Sequence, residues 1–326
     1  MSFSTKSKIT GFGSYVPERV LTNSDLVKMV DTTDEWIIQR TGIRERHISR
    51  ADEHSSDLGT EAVKDLGTRL GVDCSDVDII IATTFTPDHF TPHTSAIIQG
   101  KLGIKKAGTF DLGAGCTGFE YALATADSLV SSGHFNKALV VAAEAVSKAV
   151  DYSDRSSCIL FGDAGAACIV ERCEGKGSFI ASDFTSDGEI GHYVTTTNHS
   201  DTVMGKCVEK KGIFEQDGQQ VYKYAVKNVP QGIARLLRKS HLTTDEIDWF
   251  VPHSANLRII EAISRKIGMP MSKTLTSVEM CGNTSSASIP LALSLAQKAG
   301  KIKSGDIALL YGFGGGLTNG GVIVRL

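Results

Sequence analysis

The chain has 326 residues, 41% of them hydrophobic and 22% charged, with a formal net charge of −3 at neutral pH. That length allows one large core or two fused ones, and the near-balanced charge offers nucleic acid no field at the level of the whole chain. Seven cysteines without a CxxC pair argue against a disulfide framework or a zinc site and for a reducing compartment.

The first eight residues carry no apolar stretch of the kind a secretory signal needs. Residues 78–84 read as a buried strand, after an amphipathic helix over 56–70 that stops at Gly71. A short strand then runs into Gly113, and a helix over 117–132 stops at Gly133. Strands follow at 137–142 and 166–170, and the polar stretch 174–177 divides the chain into halves, 1–174 and 175–326. Residues 192–219 are polar and aperiodic, which predicts a surface excursion or hairpin. Helices at 221–239, 256–267 and 285–299 alternate with strands at 249–252, 307–311 and 322–326. Glycine just past a helix is a sound end signal, because it enters the left-handed region without steric cost. The strands are nearly continuous apolar runs, as expected where both faces are covered. Alternation of this kind predicts an α/β fold with helices packed on sheets. The longest apolar runs, such as 138–143, are far too short to cross a bilayer, so a cytoplasmic protein with no membrane partner is expected.

Three segments carry side chains suited to chemistry. In FDLGAGCTGF, Cys116 sits at a strand-to-helix turn, where unpaired helix N–H groups favour a thiolate and the glycines leave room for a substrate. A buried structural cysteine is the commoner fate of a free thiol. In FVPHSAN, His253 ends an apolar strand, where α/β proteins place ligand sites, although it could simply hydrogen-bond the helix start. In CGNTSSASIP, Asn283 precedes a run of small hydroxyl residues, and taken alone it reads as a cap or turn residue. The tail GFGGGL lacks both nucleotide-loop spacings and reads instead as a bare turn whose N–H groups face an oxyanion.

Cysteine in GAGCTGF, histidine in VPHSANLR, asparagine in GNTSSASIP and then GFGGGLT follow one another in an order that strongly resembles the β-ketoacyl-[acyl-carrier-protein] synthase III family of thiolase-fold condensing enzymes. TDEWI at 33–37, RTGIRER at 40–46, Asp154-Arg155 and FGDAG at 161–165 extend the resemblance to nearly the whole chain. The resemblance implies two similar βαβ-rich halves in a five-layer αβαβα arrangement, with Cys116 in the first and His253 and Asn283 in the second, and a homodimer. It implies an acyl-CoA primer taken onto Cys116 and extended by decarboxylation of malonyl-acyl-carrier protein, with the N–H groups of Cys116 and Gly315 as oxyanion hole. His253 and Asn283 would stabilise the enolate, and Phe313 would disfavour the carboxylate. Decarboxylation itself generates the carbanion, so no metal or cofactor is implied, and coenzyme A enters as a substrate. Trp36 and Arg155 would sandwich the adenine, with Arg40 and Thr32 near the phosphates, and Arg258 would meet the acidic carrier protein. Without the resemblance these arginines read as solvated surface.

Ser254, Cys281 and Asn319 depart from common family residues without removing a catalytic group. The stretch TPDHFTP at 86–92 corresponds to a segment that supplies an acyl-pocket gate, often phenylalanine, to the partner subunit. Anchoring on Pro92 puts Thr91 at the gate and predicts primers larger than acetyl; a slip of one residue puts Phe90 there. Rival readings are a thiolase-fold relative with another acceptor, a papain-like hydrolase and a non-catalytic paralogue. The hydrolase lacks its usual cysteine surroundings here, and the intact cysteine, histidine and asparagine argue against the paralogue.

Overall fold

A computed structural model describes residues 5–196, 199–208 and 211–326. Two sheets organise it. In the first, strands Ser7–Tyr15, Ala164–Arg172, Lys137–Glu144, Ile79–Thr83 and Gly108–Leu112 lie side by side in that order. The first two pairings are antiparallel and the last two parallel. In the second sheet, Phe179–Ser186, Thr318–Arg325 and Ile307–Gly314 pair antiparallel, and Trp249–Pro252 joins in parallel. A lone parallel bridge from Phe250 to Thr274 stands where a fifth strand would come. The same succession of strand directions therefore occurs twice along the chain. The expected hairpin in 192–219 is present as Thr202–Val203 against Lys206–Cys207; residues 197–198 and 209–210 of that stretch lie outside the described residues.

Helices Gly118–Ser131 and Ser288–Lys298 touch both sheets and form the middle layer. Their sequences explain the position. In the second, eight residues are buried, from Ser288 and Ile289 through Ala296, and of these only Ser288 and Ser294 are polar. A helix that is apolar nearly all round is stable only with cover on every side. Ser55–Leu70 and Thr94–Leu102 cover the outer face of the first sheet; Gly218–Ser240 packs on the second with Leu257–Ile267 against it. The layers run helix, sheet, helices, sheet, helix. Among the described residues no helix is long and apolar enough to cross a membrane.

Duplication places the site. In each half a 3-10 turn, Gly115–Thr117 or Ser285–Ala287, leads into the middle-layer helix, and the two turns meet. Cys116 and Ser285 thus face each other across the join between halves.

One middle-layer residue is out of keeping with its surroundings. Glu120 is fully buried, and among the described residues no other residue hydrogen-bonds either carboxyl oxygen. Burial holds its pKa well above the usual value of 4.5, because a low-dielectric site disfavours the charged form. Glu120→Met is expected to raise stability by about 1–3 kcal/mol, the cost of an unmatched buried polar group. Because the folded-state pKa is raised, the wild-type protein loses stability as pH climbs from about 4.5 towards the folded value. The variant's advantage should therefore widen over that range, read from urea midpoints at several pH values, and a constant or negative difference would count against a neutral buried acid.

Candidate active site

Cys116 lies in the middle of the Gly115–Thr117 turn, with Gly115 at φ 53°. A side chain at Gly115 would come within 3.2 Å of the Gly315 carbonyl oxygen. One at Gly314 would come within 2.8 Å of the Cys116 sulfur. Both glycines are needed so that the hairpin turn of the second sheet can close over the nucleophile. The Ser285 hydroxyl lies 3.5 Å from Sγ and donates to it, and a backbone hydrogen bond from Gly315 acts on the same sulfur. Enclosure nevertheless pushes the thiol up to about 11. This upward direction opposes the expected pull of a helix end towards the thiolate. The 3-10 turn leads directly into the α-helix that begins at Gly118, and desolvation outweighs the hydrogen bonds from Ser285 and Gly315.

His253 follows strand Trp249–Pro252 and is 1% exposed. Its N–H donates to the Tyr311 carbonyl at 2.9 Å, so the neighbouring strand holds it in line. Nδ1 is 2.8 Å from the Ser288 hydroxyl. Phe313 meets the ring edge-on, with centroids 5.3 Å apart. Burial pushes the imidazole pKa down to about 3. Both shifts favour a neutral thiol and a neutral imidazole over an ion pair.

Asn283 is pinned by its backbone. Its N–H donates to the Leu160 carbonyl at 2.8 Å, and its own carbonyl accepts from Gly162 at 3.2 Å. Its side-chain Oδ1 accepts from the Ser285 N–H at 2.9 Å, which leaves the amide Nδ2 as the donor that can face a substrate. Ser285 itself sits at φ 49°, a strained conformation for a residue with a side chain, beside the cysteine it contacts. Next to it, Ser286 donates at 2.6 Å to Glu144, whose other oxygen accepts from Thr84, Phe85 and Thr86. Glu144 so ties the asparagine loop to the loop after strand Ile79–Thr83.

Cys116, His253, Asn283, Phe313 and Gly315 all line one cavity of about 100 Å³. It opens beside an exposed cleft of about 620 Å³ that contains Arg40, Arg258 and Arg265, and Asn256 lines both. Arg258 donates to the Gln39 carbonyl at 2.7 Å, which joins the cleft's two walls. Trp36 lies partly buried on helix Asp34–Thr41 with the Arg155 guanidinium 5.0 Å from its ring centre and Arg40 at 5.9 Å. The expected two-sided grip is thus a closed cation–π pair. Such a pair contributes only about 0.5–1 kcal/mol at the surface, so a ring can displace Arg155 at small cost. The buried Thr32 hydroxyl has no hydrogen-bond partner among the described residues. Thr91 is exposed and lines a separate cavity of about 800 Å³ with Phe90. Phe85 borders both that cavity and the one holding Cys116.

Sequence reasoning missed Ser285, Ser288, Glu144 and Phe85. The serine run after Asn283 was the available signal: its residues fall on a turn and the next helix start, where hydroxyls cap and bridge. Of the departures, Asn319 accepts from the Tyr311 hydroxyl and donates to that of Tyr224, both at 2.8 Å. Ser254 accepts from the Ser277 N–H at 3.1 Å.

The family model described as 3-oxoacyl-[acyl-carrier-protein] synthase III matches residues 110–188, and the model of that synthase's C-terminal part matches residues 237–326. The chain is 51% identical to the β-ketoacyl-[acyl-carrier-protein] synthase III 2 of Halalkalibacterium halodurans, over 98% of this chain and 97% of that one. It is 50% identical to the protein of the same name from Bacillus anthracis, over 98% of each. Among solved structures, the β-ketoacyl-[acyl-carrier-protein] synthase III of Thermus thermophilus superposes with a TM-score of 0.93 at 42% identity, over 98% of this chain and 99% of that one.

Proposed function

This chain belongs to the β-ketoacyl-[acyl-carrier-protein] synthase III family, and from that premise we propose that it is the condensing enzyme that starts fatty acid biosynthesis. It works in the cytoplasm as a homodimer, with residues 1–174 bringing the nucleophile and 175–326 the two donors. The observation that carries this reading is the meeting of Cys116, His253 and Asn283 in one cavity beneath the Gly315 turn.

In the first half-reaction Cys116 Sγ attacks the thioester carbonyl of an acyl-CoA. The carbon–sulfur bond to coenzyme A breaks, and the thiol proton leaves with the coenzyme A sulfur. Since the resting thiol is neutral, the charge on its sulfur develops only in the transition state. The N–H groups of Cys116 and Gly315 hold the oxygen that becomes negative. Arg40, Arg155, Thr32 and Trp36 bind the nucleotide end. Malonyl-acyl-carrier protein then docks with Arg258 against its acidic surface. Asn283 Nδ2 and the His253 ring donate to the malonyl thioester oxygen. CO2 leaves, the enolate carbon attacks the acyl carbonyl on Cys116, and the cysteine sulfur departs and takes up a proton. Phe313 keeps the carboxylate's surroundings apolar, which favours its loss. The scheme needs no metal, because decarboxylation supplies the carbanion.

The test is intact-protein mass spectrometry with a panel of acyl-CoAs, followed by malonyl-acyl-carrier protein. Acylation and then β-ketoacyl-carrier protein support the proposal. Acylation without extension overturns it in favour of an acyltransferase with another acceptor. The same panel reads the gate. Thr91, supplied to the partner's cavity, leaves room for branched and medium-chain primers. Thr91→Phe is expected to lower their use relative to acetyl-CoA by about tenfold or more, the scale set by a few methylenes of lost space. Wild-type preference for acetyl-CoA over every longer primer would remove Thr91 from that role.

A further inference from the structure

The catalytic scheme requires His253 to present a donor to the malonyl thioester, yet a neutral imidazole offers one donor and one acceptor. Which nitrogen holds the proton is decided by what the other nitrogen touches. Here it touches Ser288, the first residue of helix Ser288–Lys298. The Ser288 hydroxyl is 2.8 Å from His253 Nδ1 and also 3.2 Å from the Ser254 backbone nitrogen. Among the described residues it has these two partners.

A serine hydroxyl has one proton to give and two lone pairs to receive. The Ser254 N–H can only donate, so it occupies a lone pair. Were His253 protonated on Nδ1, two N–H groups would converge on the same oxygen, and the hydroxyl proton would be left unmatched. Both Ser288 and His253 are shut off from solvent, and a buried unmatched donor is costly. With the proton on Nε2 instead, Ser288 donates to Nδ1 and every group is satisfied. Nε2–H then points away from Ser288, to the cavity side of the ring. Burial, which keeps the imidazole neutral down to about pH 3, excludes the doubly protonated form that would escape this choice.

We propose that Ser288 is a positioning residue that holds His253 in the Nε2–H tautomer, through the contact of its hydroxyl with Nδ1. The consequence is a division of labour. His253 is a fixed hydrogen-bond donor, like Asn283 Nδ2, and not the base that deprotonates Cys116. This deepens the proposed function and rests on it for its kinetic part only.

The experiment uses the full-length protein labelled with 15N-histidine, with His253→Asn to assign the resonances. Wild type is expected to show protonated Nε2 and bare Nδ1, unchanged between about pH 5 and 8, where an ordinary histidine titrates. Ser288→Ala is expected to show a mixture of tautomers. Its kcat for condensation should fall about tenfold, as for a weakened transition-state donor, while the acylation rate of Cys116 and the KM for malonyl-acyl-carrier protein change far less. Ser288→Thr, which restores the hydroxyl, should recover both the single tautomer and the rate. A protonated Nδ1 in the wild-type protein overturns the proposal, as does a Ser288→Ala protein with the Nε2–H tautomer and full kcat. If Ser288→Ala fails to fold, the wild-type spectrum and the threonine variant still decide. Should the wild-type protein never extend its acyl group, the proposed function fails while the spectrum still reports on Ser288.

Discussion

Cys116→Ala is expected to lose condensation by about 10⁴-fold or more, because covalent catalysis has no substitute once its nucleophile is gone. Intact-protein mass spectrometry should find no acyl adduct at any acyl-CoA concentration. A second readout separates chemistry from collapse. In the proposed scheme decarboxylation of the malonyl donor uses His253 and Asn283, and neither is held in place by the sulfur. His253 is held by Tyr311 and Ser288, and Asn283 by Leu160, Gly162 and Ser285. Release of CO2 from malonyl-acyl-carrier protein should therefore persist in Cys116→Ala and vanish in the double variant with His253→Ala. An acyl adduct on the alanine protein would place the nucleophile elsewhere.

Arg46→Ala carries the largest expected effect on stability, a loss of about 3–5 kcal/mol, the range for removing a buried, hydrogen-bonded charge and leaving its partners exposed to an apolar void. Arg46 is 0% exposed. One guanidinium nitrogen donates to the Leu21 carbonyl at 3.2 Å and to Asn23 Oδ1 at 2.8 Å, and another to the Ile159 carbonyl at 2.7 Å. Burial pulls its pKa down to about 10, so it remains charged at neutral pH. Side chains at Gly162 or Gly282 would press on its Cβ at 3.0 and 3.2 Å, so the packing around it leaves no slack. Ile159 is next to Leu160, the residue that receives the Asn283 N–H, and loss of Arg46 should loosen Asn283 as well. Guanidinium chloride unfolding gives the stability change. Arg46→Lys should recover less than half of it, since a single ammonium nitrogen cannot span the acceptors that two guanidinium nitrogens reach. A loss under about 1 kcal/mol would show that the neighbouring carbonyls find other donors.

Arg46 also illustrates where reading along the chain stops. Its segment, RTGIRER, is rich in charge, and nothing in local periodicity signals that one of its arginines is buried whole. Its partners lie 23, 25 and 113 residues away. Ser288 and Glu144 are similar: a serine in a helix start and a glutamate at a strand end have ordinary local uses, and their partners His253 and Ser286 are 35 and 142 residues distant. Trp36 and Arg155 could be named in advance, but not that they close on one another.

Strands Ser7–Tyr15 and Phe179–Ser186 hold no long continuous apolar run and emerge only in the structure. What the sequence determined by itself was the other seven of the nine sheet strands, the two middle-layer helices, the glycine stops and the three segments that carry Cys116, His253 and Asn283. Those features are written in short-range patterns: continuous apolar runs, helix-end glycines, and small residues at strand-to-helix turns. Tertiary structure alone decided how deeply the site's groups are buried and which neighbours orient its donors. Helix-end N–H groups argue for a thiolate, and burial between the two sheets opposes it; the histidine, at a strand end, meets the hydroxyl that begins helix Ser288–Lys298. Desolvation and hydrogen-bond matching are sums over everything that surrounds a group, and for these groups most of the surroundings come from distant parts of the chain.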